Sequence, residues 1–213
     1  MRIGELSQVT GIPVATIKYY VRERLLPRGV ETSDRSMSYD ASHIHRLLLI
    51  RTLADTTNLT ISQIKEVLGA INRFGGSVHQ AMAAGLAATH HTPHPTKAPE
   101  TAVQQAQQTA DRLLREHDWE DYAPETYRDS LLAILTAYYT LGYPDTPELF
   151  TMIANAAAQL AAGDLDIIDR ATASEGELDA EWAVTSLLIG ETLMSTLHRI
   201  AHTAASSWHQ RGG

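Results

Sequence analysis

Apolar residues recur at helical spacing along nearly the whole chain, interrupted by a few stretches rich in turn formers. Ile3, Leu6 and Val9 fall on one side of a short helix predicted over Ile3–Val9, which Thr10-Gly11 ends. Pro13 suits the first turn of a second helix, PVATIKYYVRER, whose Ile17, Tyr20 and Val21 turn inward. Leu25-Leu26-Pro27 stops it. Residues 27–39 hold turn formers and read as a small β-hairpin, with strands near Gly29–Glu31 and Met37–Tyr39. Asp40 is placed to cap a helix in which Ile44, Leu47, Leu48 and Arg51 repeat with helical period. Thr60 followed by Gln63 is a capping-box pattern opening a further helix, with Ile61, Ile64, Val67, Leu68 and Ile71 as its inward stripe.

Beyond the Gly75-Gly76 joint, residues 76–91 form a weak helical pattern, and the Pro-rich 90–100 a linker. Helices are then predicted near 100–118, 124–142, 147–162, 164–173 and 177–209, with Gly163 as a stop between the third and fourth. The fold class expected is mainly α: an N-terminal winged helix-turn-helix with a small β-hairpin wing, then an all-α C-terminal domain. Boundaries are expected at 1–75 for the head, 76–100 for a connecting helix and linker, and 101–213 for a helical dimerisation and effector domain.

Charge changes the picture. The 213 residues carry a net −8, which taken whole argues against a nucleic-acid partner. Residues 1–75, however, hold ten Lys/Arg against seven Asp/Glu, a surplus of +3, while 76–213 hold seven against eighteen, or −11. A basic head on an acidic body can bind DNA because the local field decides. There are no cysteines, so disulfides, thiolate metal sites and thiol switching are excluded. No run of 18 apolar residues and no signal-peptide pattern occur, so a cytoplasmic protein without a membrane partner is expected.

The ordered set IGELSQVTGIPVATIKYY, then LLP, a wing hairpin, and a helix pair opening at Tyr39-Asp40 resembles the MerR family of bacterial transcription regulators over about residues 1–72. The remainder resembles, more loosely, the helical C-terminal domains attached to such heads in actinobacterial regulators. The chain departs from the family's head at three places. Lys18 stands where an Arg precedes the Tyr pair, Arg24 where a Gly precedes LLP, and Arg35-Ser36-Met37-Ser38 where Gly-Tyr-Arg leads into Tyr-Asp. Lysine keeps the charge but loses the planar fork that pairs bidentately with phosphate or guanine.

The resemblance implies a second helix lying in the major groove. Val14, Ala15, Thr16 and Lys18 would then face base edges, with Ala15 and the Thr16 methyl against thymine methyls and Lys18 on guanine or phosphate. Tyr19 can hydrogen-bond the DNA backbone, while Arg22, Arg28 and Arg35 are candidate phosphate contacts. Tyr20 is a candidate at the same surface or a core residue. The resemblance also implies double-stranded promoter DNA as partner, RNA polymerase at that promoter, a homodimer on a pseudo-palindrome, and regulation by bending and untwisting a badly phased promoter. Two helices compete for the dimer contact: 76–91, and 100–118 with its seam of Val103, Ala106, Ala110, Leu113 and His117.

For the C-terminal half an organic small-molecule effector is expected, held by aromatic residues among Trp119, Tyr138, Tyr139, Phe150 and Trp182, with Glu191 and Glu181 as anchors for a cation. His90, His91 and His94, or His198 and His202 with Glu191, have spacings that metal sites use. Surface or core histidines explain them more simply, so no metal and no cofactor are expected. No phosphate loop, nucleophile elbow or HExxH occurs, and an enzyme is not expected. An architectural DNA-binding protein without effector, and a His/carboxylate metal-responsive regulator, are the alternatives.

Overall fold

The structure, a computed structural model, describes residues 1–32, 36–91, 93, 97–143, 145–175 and 180–210, without the side chains of 172–175 and 207–210. The order is α1 (Ile3–Thr10), α2 (Val14–Arg22), β1 (Val30–Glu31), β2 (Met37–Ser38), α3 (Ala41–Thr56), α4 (Ile61–Phe74), α5 (Val78–Thr89), α6 (Glu100–Glu116), α7 (Glu125–Thr140), α8 (Pro147–Glu175) and α9 (Ala180–Gln210). The protein is mainly α, with one two-stranded antiparallel hairpin pairing Val30 with Ser38 and Glu31 with Met37. Among the described residues no helix is long and apolar enough to cross a membrane.

Local chemistry explains most element ends. Gly11 takes the left-handed conformation at φ 67° and its N–H returns to the Ser7 carbonyl at 2.9 Å, closing α1. The Asp40 carboxylate accepts from the Ser42 N–H at 3.0 Å and from the His43 N–H, opening α3. Hydrogen bonds from Ser42 and then His43 hold its carboxyl well below the ordinary carboxylate range. At α4 the Thr60 N–H donates to Gln63 Oε1 at 3.0 Å and the Gln63 N–H to Thr60 Oγ1 at 3.3 Å, the reciprocal box read from the sequence.

The chain divides into two compact units, and they do not follow chain order. One joins residues 1–89 to 177–213; the other is 90–176. In the first, Leu6, Ile17, Leu25, Leu26, Leu47, Ile50 and Leu53 form the buried heart of the head, continued by Ile64, Val67 and Leu68 of α4. The start of α9 packs on α5, α4 and α3 and buries Ala180, Ala183, Val184 and Leu188. The sequence-based division at 75 and 100 treated this helix as part of the body because nothing local marks a return to the head.

Two expectations are corrected. Gly163 does not stop a helix: α8 runs unbroken from Pro147 to Glu175. Glycine in a helix interior costs only about 1 kcal/mol, and with no proline or capping side chain beside it the ladder continues. On α3, Leu48 is 45% exposed while His43 is buried with Leu47, Leu49, Ile50 and Leu53. This helix is covered from two sides, by the head and by α4 and α9, so its buried face is broader than one stripe.

Arg24, at the family's glycine position, stands at φ 62°. A non-glycine residue pays roughly 1–2 kcal/mol there, whereas glycine loses more chain entropy on folding. Arg24→Gly should therefore raise stability by about 0.5–1 kcal/mol, seen as a higher denaturant midpoint with an unchanged slope.

Candidate nucleic-acid interface and the helical unit

The turn between α1 and α2 is tied down by short-range bonds that the sequence dictates. Ser7 Oγ donates to the Ile12 carbonyl at 2.7 Å, and Thr10 Oγ1 donates to the Leu6 carbonyl at 2.8 Å while accepting the Ile12 N–H at 3.3 Å. From α3, Arg51 Nη1 donates to the Thr10 carbonyl at 3.3 Å. Pro13 then starts α2, whose inward side chains Ile17 and Tyr20 are buried, as are Leu6 and Leu25 of the head's core. At the far end, Arg46 Nε donates to the Leu25 carbonyl at 3.2 Å, and burial lowers its pKa, countered by Glu181.

With that face buried, α2 turns Ala15, Lys18 and Arg22 outward at i, i+3 and i+7, flanked by half-buried Val14, Thr16 and Tyr19. The Arg22 guanidinium lies 5.3 Å from the centre of the Tyr19 ring and pairs with Glu23 at 3.3 Å. Tyr20 is 9% exposed, and burial, then Asp55 and Tyr19, raises its phenol pKa. Its ring supports the helix from beneath. Arg28 is exposed just before β1, and the Thr32 N–H closes the wing on the Ser36 carbonyl at 2.8 Å. Arg35 lies outside the described residues. Between α1, α2 and the wing opens a hollow of about 420 Å³ lined by Arg2, Ile3, Lys18, Val21, Met37 and Tyr39. Arg2 was missed by the sequence reading, which looked for cations along α2 and the wing; it precedes a helix and shows no periodicity.

Of the aromatic and acidic candidates, four fall in the 90–176 unit and three, Glu181, Trp182 and Glu191, on α9 in the other. Ala102, Ala106 and Ala110 give α6 a flat face on which Leu135 and Tyr139 of α7 pack. Thr109 Oγ1 and Tyr139 OH are 2.8 Å apart, and Tyr139 OH donates to Asp145 Oδ1 at 2.9 Å. Burial and Asp145 raise the Tyr139 phenol pKa. Tyr138 meets the Phe150 ring edge-on at 5.1 Å. Tyr139 belongs to this core, and the partly buried Tyr138 and Phe150 pack against it. Tyr139→Phe strands the buried Thr109 hydroxyl and should cost about 1–2 kcal/mol in thermal or denaturant unfolding. Trp119 instead lines a hollow of about 320 Å³ with Leu114, Tyr122, Tyr127, Arg128 and Leu131, its ring tilted against His117 at 4.6 Å.

The seam read on 100–118 is spent within the chain: Ala106, Ala110 and Leu113 are buried, and Val103 is exposed. On the rival, α5, Ala81, Met82 and Gly85 are buried while His79, Gln80, Ala83 and Ala87 are exposed. Glu181 bonds His45, Glu191 stands on the exposed part of α9 with a carboxyl raised by partial desolvation, and His90 Nε2 lies 2.7 Å from Ser130 Oγ. His94 lies outside the described residues, and among those residues no three His, Asp or Glu side chains are arranged to hold a metal ion.

The comparisons with known proteins fall into those that match the head and one that spans nearly the whole chain. A model described as MerR HTH family regulatory protein matches residues 1–71. An HTH-type transcriptional regulator ZntR homolog of Haemophilus influenzae is 33% identical over 72 residues, which is 34% of this chain and 53% of that protein. The HTH-type transcriptional regulator HmrR of Sinorhizobium medicae is 35% identical over 68 residues, 32% of this chain and 46% of its own length. The mercuric resistance operon regulatory protein of Bacillus cereus is 32% identical over 72 residues, 34% and 54% respectively. The chain thus spans about half the length of the curated relatives it matches, and only its head is shared with them. A crystal structure described as a transcriptional regulator from Streptomyces coelicolor A3(2) is 29% identical, with a TM-score of 0.64 over 97% of this chain and 96% of that one. Residues 1–71, with their Gly11 turn, outward Lys18 face and paired wing, are a MerR-family DNA-binding helix-turn-helix domain.

Proposed function

We propose that the whole chain is a cytoplasmic transcription regulator that binds promoter DNA as a dimer and answers to an organic effector. The observation that carries this reading is the outward face of α2, Ala15–Lys18–Arg22, held rigid by the tied turn beneath it. In it, Val14, Ala15 and Thr16 contact base edges and Lys18 reaches guanine or phosphate. Tyr19, Arg22, Arg28 and Arg35 fix register on the DNA backbone. Tyr20 acts by seating the helix. Residues 1–75 are the DNA-binding part, and RNA polymerase is met at the promoter.

The effector reading rests on the hollow at Trp119, where Tyr122 and Tyr127 supply flat apolar walls and Arg128 a charge. It would suit a planar organic molecule better than a metal ion. Selection of bound DNA from a random pool, repeated at several salt concentrations, tests the regulator reading. One pseudo-palindrome with half-sites set whole helical turns apart is the expected product. Weak binding to many unrelated sequences would instead mark an architectural protein.

A further inference from the structure

Tyr122 is 82% exposed, yet it borders an apolar hollow rather than open surface. The hollow, of about 320 Å³, lies in the 90–176 unit where α6 gives way to α7. Its lining joins buried Leu114 and half-buried Leu131 to the rings of Trp119, Tyr122 and Tyr127. Two of those rings are braced by histidines. His117 lies against Trp119 and is held through its ring nitrogens by the Leu113 carbonyl at 2.9 Å and Asn155 Oδ1 at 3.0 Å. His90, held by Ser130, meets Tyr127 edge-on with ring centres 4.4 Å apart. The turn that presents Trp119 passes through Asp118 at φ 56°, a left-handed conformation that aspartate tolerates better than most residues. The Trp119 N–H then closes on the Leu114 carbonyl at 2.8 Å. Walls fixed in advance lose little freedom when a ligand enters.

We infer that this hollow takes a flat organic acid, its ring system lying among Trp119, Tyr122 and Tyr127 and its carboxylate on the guanidinium of Arg128. The inference rests on the effector reading above and names the ligand's chemical class. Arg128 decides the class, because it is the only charged residue in the lining. Its Nε donates to the carbonyl of Ala123, another lining residue, at 2.9 Å, which fixes the guanidinium at the wall and leaves both Nη groups to a ligand. Arg112 and Arg115 of α6 are paired with Glu116 at 3.0 Å and Glu120 at 3.5 Å. Arg128 has no ion pair among the described residues, although Glu125 and Asp129 are its neighbours in sequence. An unpaired guanidinium offers a carboxylate two parallel hydrogen bonds in its own plane. A cationic ligand would meet that charge and find no carboxylate in the lining; Glu181 and Glu191 stand in the other unit. The volume is at the lower end for a small-molecule pocket and has room for about two fused rings. Tyr122 is left in water because the molecule that covers it is the ligand.

Titration of the full chain with 2-naphthoate, 2-naphthamide and 2-naphthylmethylamine, followed by calorimetry and tryptophan emission, tests this. The three share a ring system and differ in charge. Naphthoate should bind at least about 10-fold more tightly than the amide, with the amine weaker still. R128M, with unchanged helical circular dichroism, should weaken naphthoate by about 10- to 100-fold and leave the amide where it was. R128K should recover part of the loss, since lysine keeps the charge without the fork. W119F should abolish the emission change although Trp182 and Trp208 remain. An amide or amine that binds as tightly as naphthoate, or naphthoate binding that R128M leaves untouched, overturns the acid and leaves the effector reading standing. An emission change that survives W119F overturns the site. No binding of any of the three at millimolar concentration overturns the site and takes the effector reading with it.

Discussion

Alanine at both Lys18 and Tyr19 should cost the protein its selected operator, weakening binding by roughly 30- to 1000-fold while the head stays folded. Lys18 is exposed and Tyr19 half-buried, and the core residues Ile17 and Tyr20 on the opposite side of α2 are untouched. Helical circular dichroism and the unfolding midpoint should therefore change little. The loss divides into two parts that separate measurements read. If Lys18 reaches a base, K18A relaxes the preference at one position of each half-site and leaves the salt slope nearly unchanged. If it reaches a phosphate, affinity falls evenly across sequences and the slope drops by about 1 per head. Removing the Tyr19 ring also frees the Arg22 guanidinium, so Y19A should exceed Y19F in effect. A folded double variant that grips the operator undiminished would mean that α2 is not the element entering the groove.

The head was legible because its boundaries are fixed by neighbours in sequence. Gly11, Pro13, Asp40 and the Thr60–Gln63 pair each act within a few residues, and the structure finds each at the end it announced. The hairpin was placed to within a residue at each strand end for the same reason. Leu48 failed because periodicity shows that a helix has an apolar face but not how many neighbours share it. Once α4 and α9 press on α3 from a second side, His43 goes inside, bonded through Nδ1 to Asp40 at 2.8 Å, and Leu48 is left out.

The C-terminal residues were harder to read, and the reason is sequence separation. That α9 returns to the head depends on contacts from Glu181 to His45, 136 positions earlier, and from Val184 to Gly85, and no local signal encodes them. The aromatic candidates suffered likewise. Composition grouped Trp119, Tyr138, Tyr139, Phe150 and Trp182, yet one ring lies in a core, two partly buried rings pack against it, one lines a hollow, and one sits on a helix of the other unit. On α2 the inward pair Ile17 and Tyr20 is buried as their spacing predicts, and that stripe dictates which side remains exposed.

Gly85 offers a second large effect, at the joint between α5 and α9. A Cβ at this position would stand 2.6 Å from Val184 Cγ1, well inside contact distance, and Val184 is β-branched with little freedom to turn away. Gly85→Ala should gain up to about 1 kcal/mol of helix propensity but force the two helices apart, an overpacking cost of about 1–3 kcal/mol. A net loss of about 1–2 kcal/mol is expected. Val184→Ala alone should also destabilise, by about 1–3 kcal/mol, since that side chain is fully buried. Combined, G85A/V184A should be more stable than the sum of the single losses predicts, because the methyl that clashes and the methyl removed occupy the same space. A coupling of about 1–2 kcal/mol in the double-mutant cycle would establish that α9 packs on α5 through this glycine. Strict additivity would mean that the two side chains do not meet in solution and that α9 packs on α5 in another register.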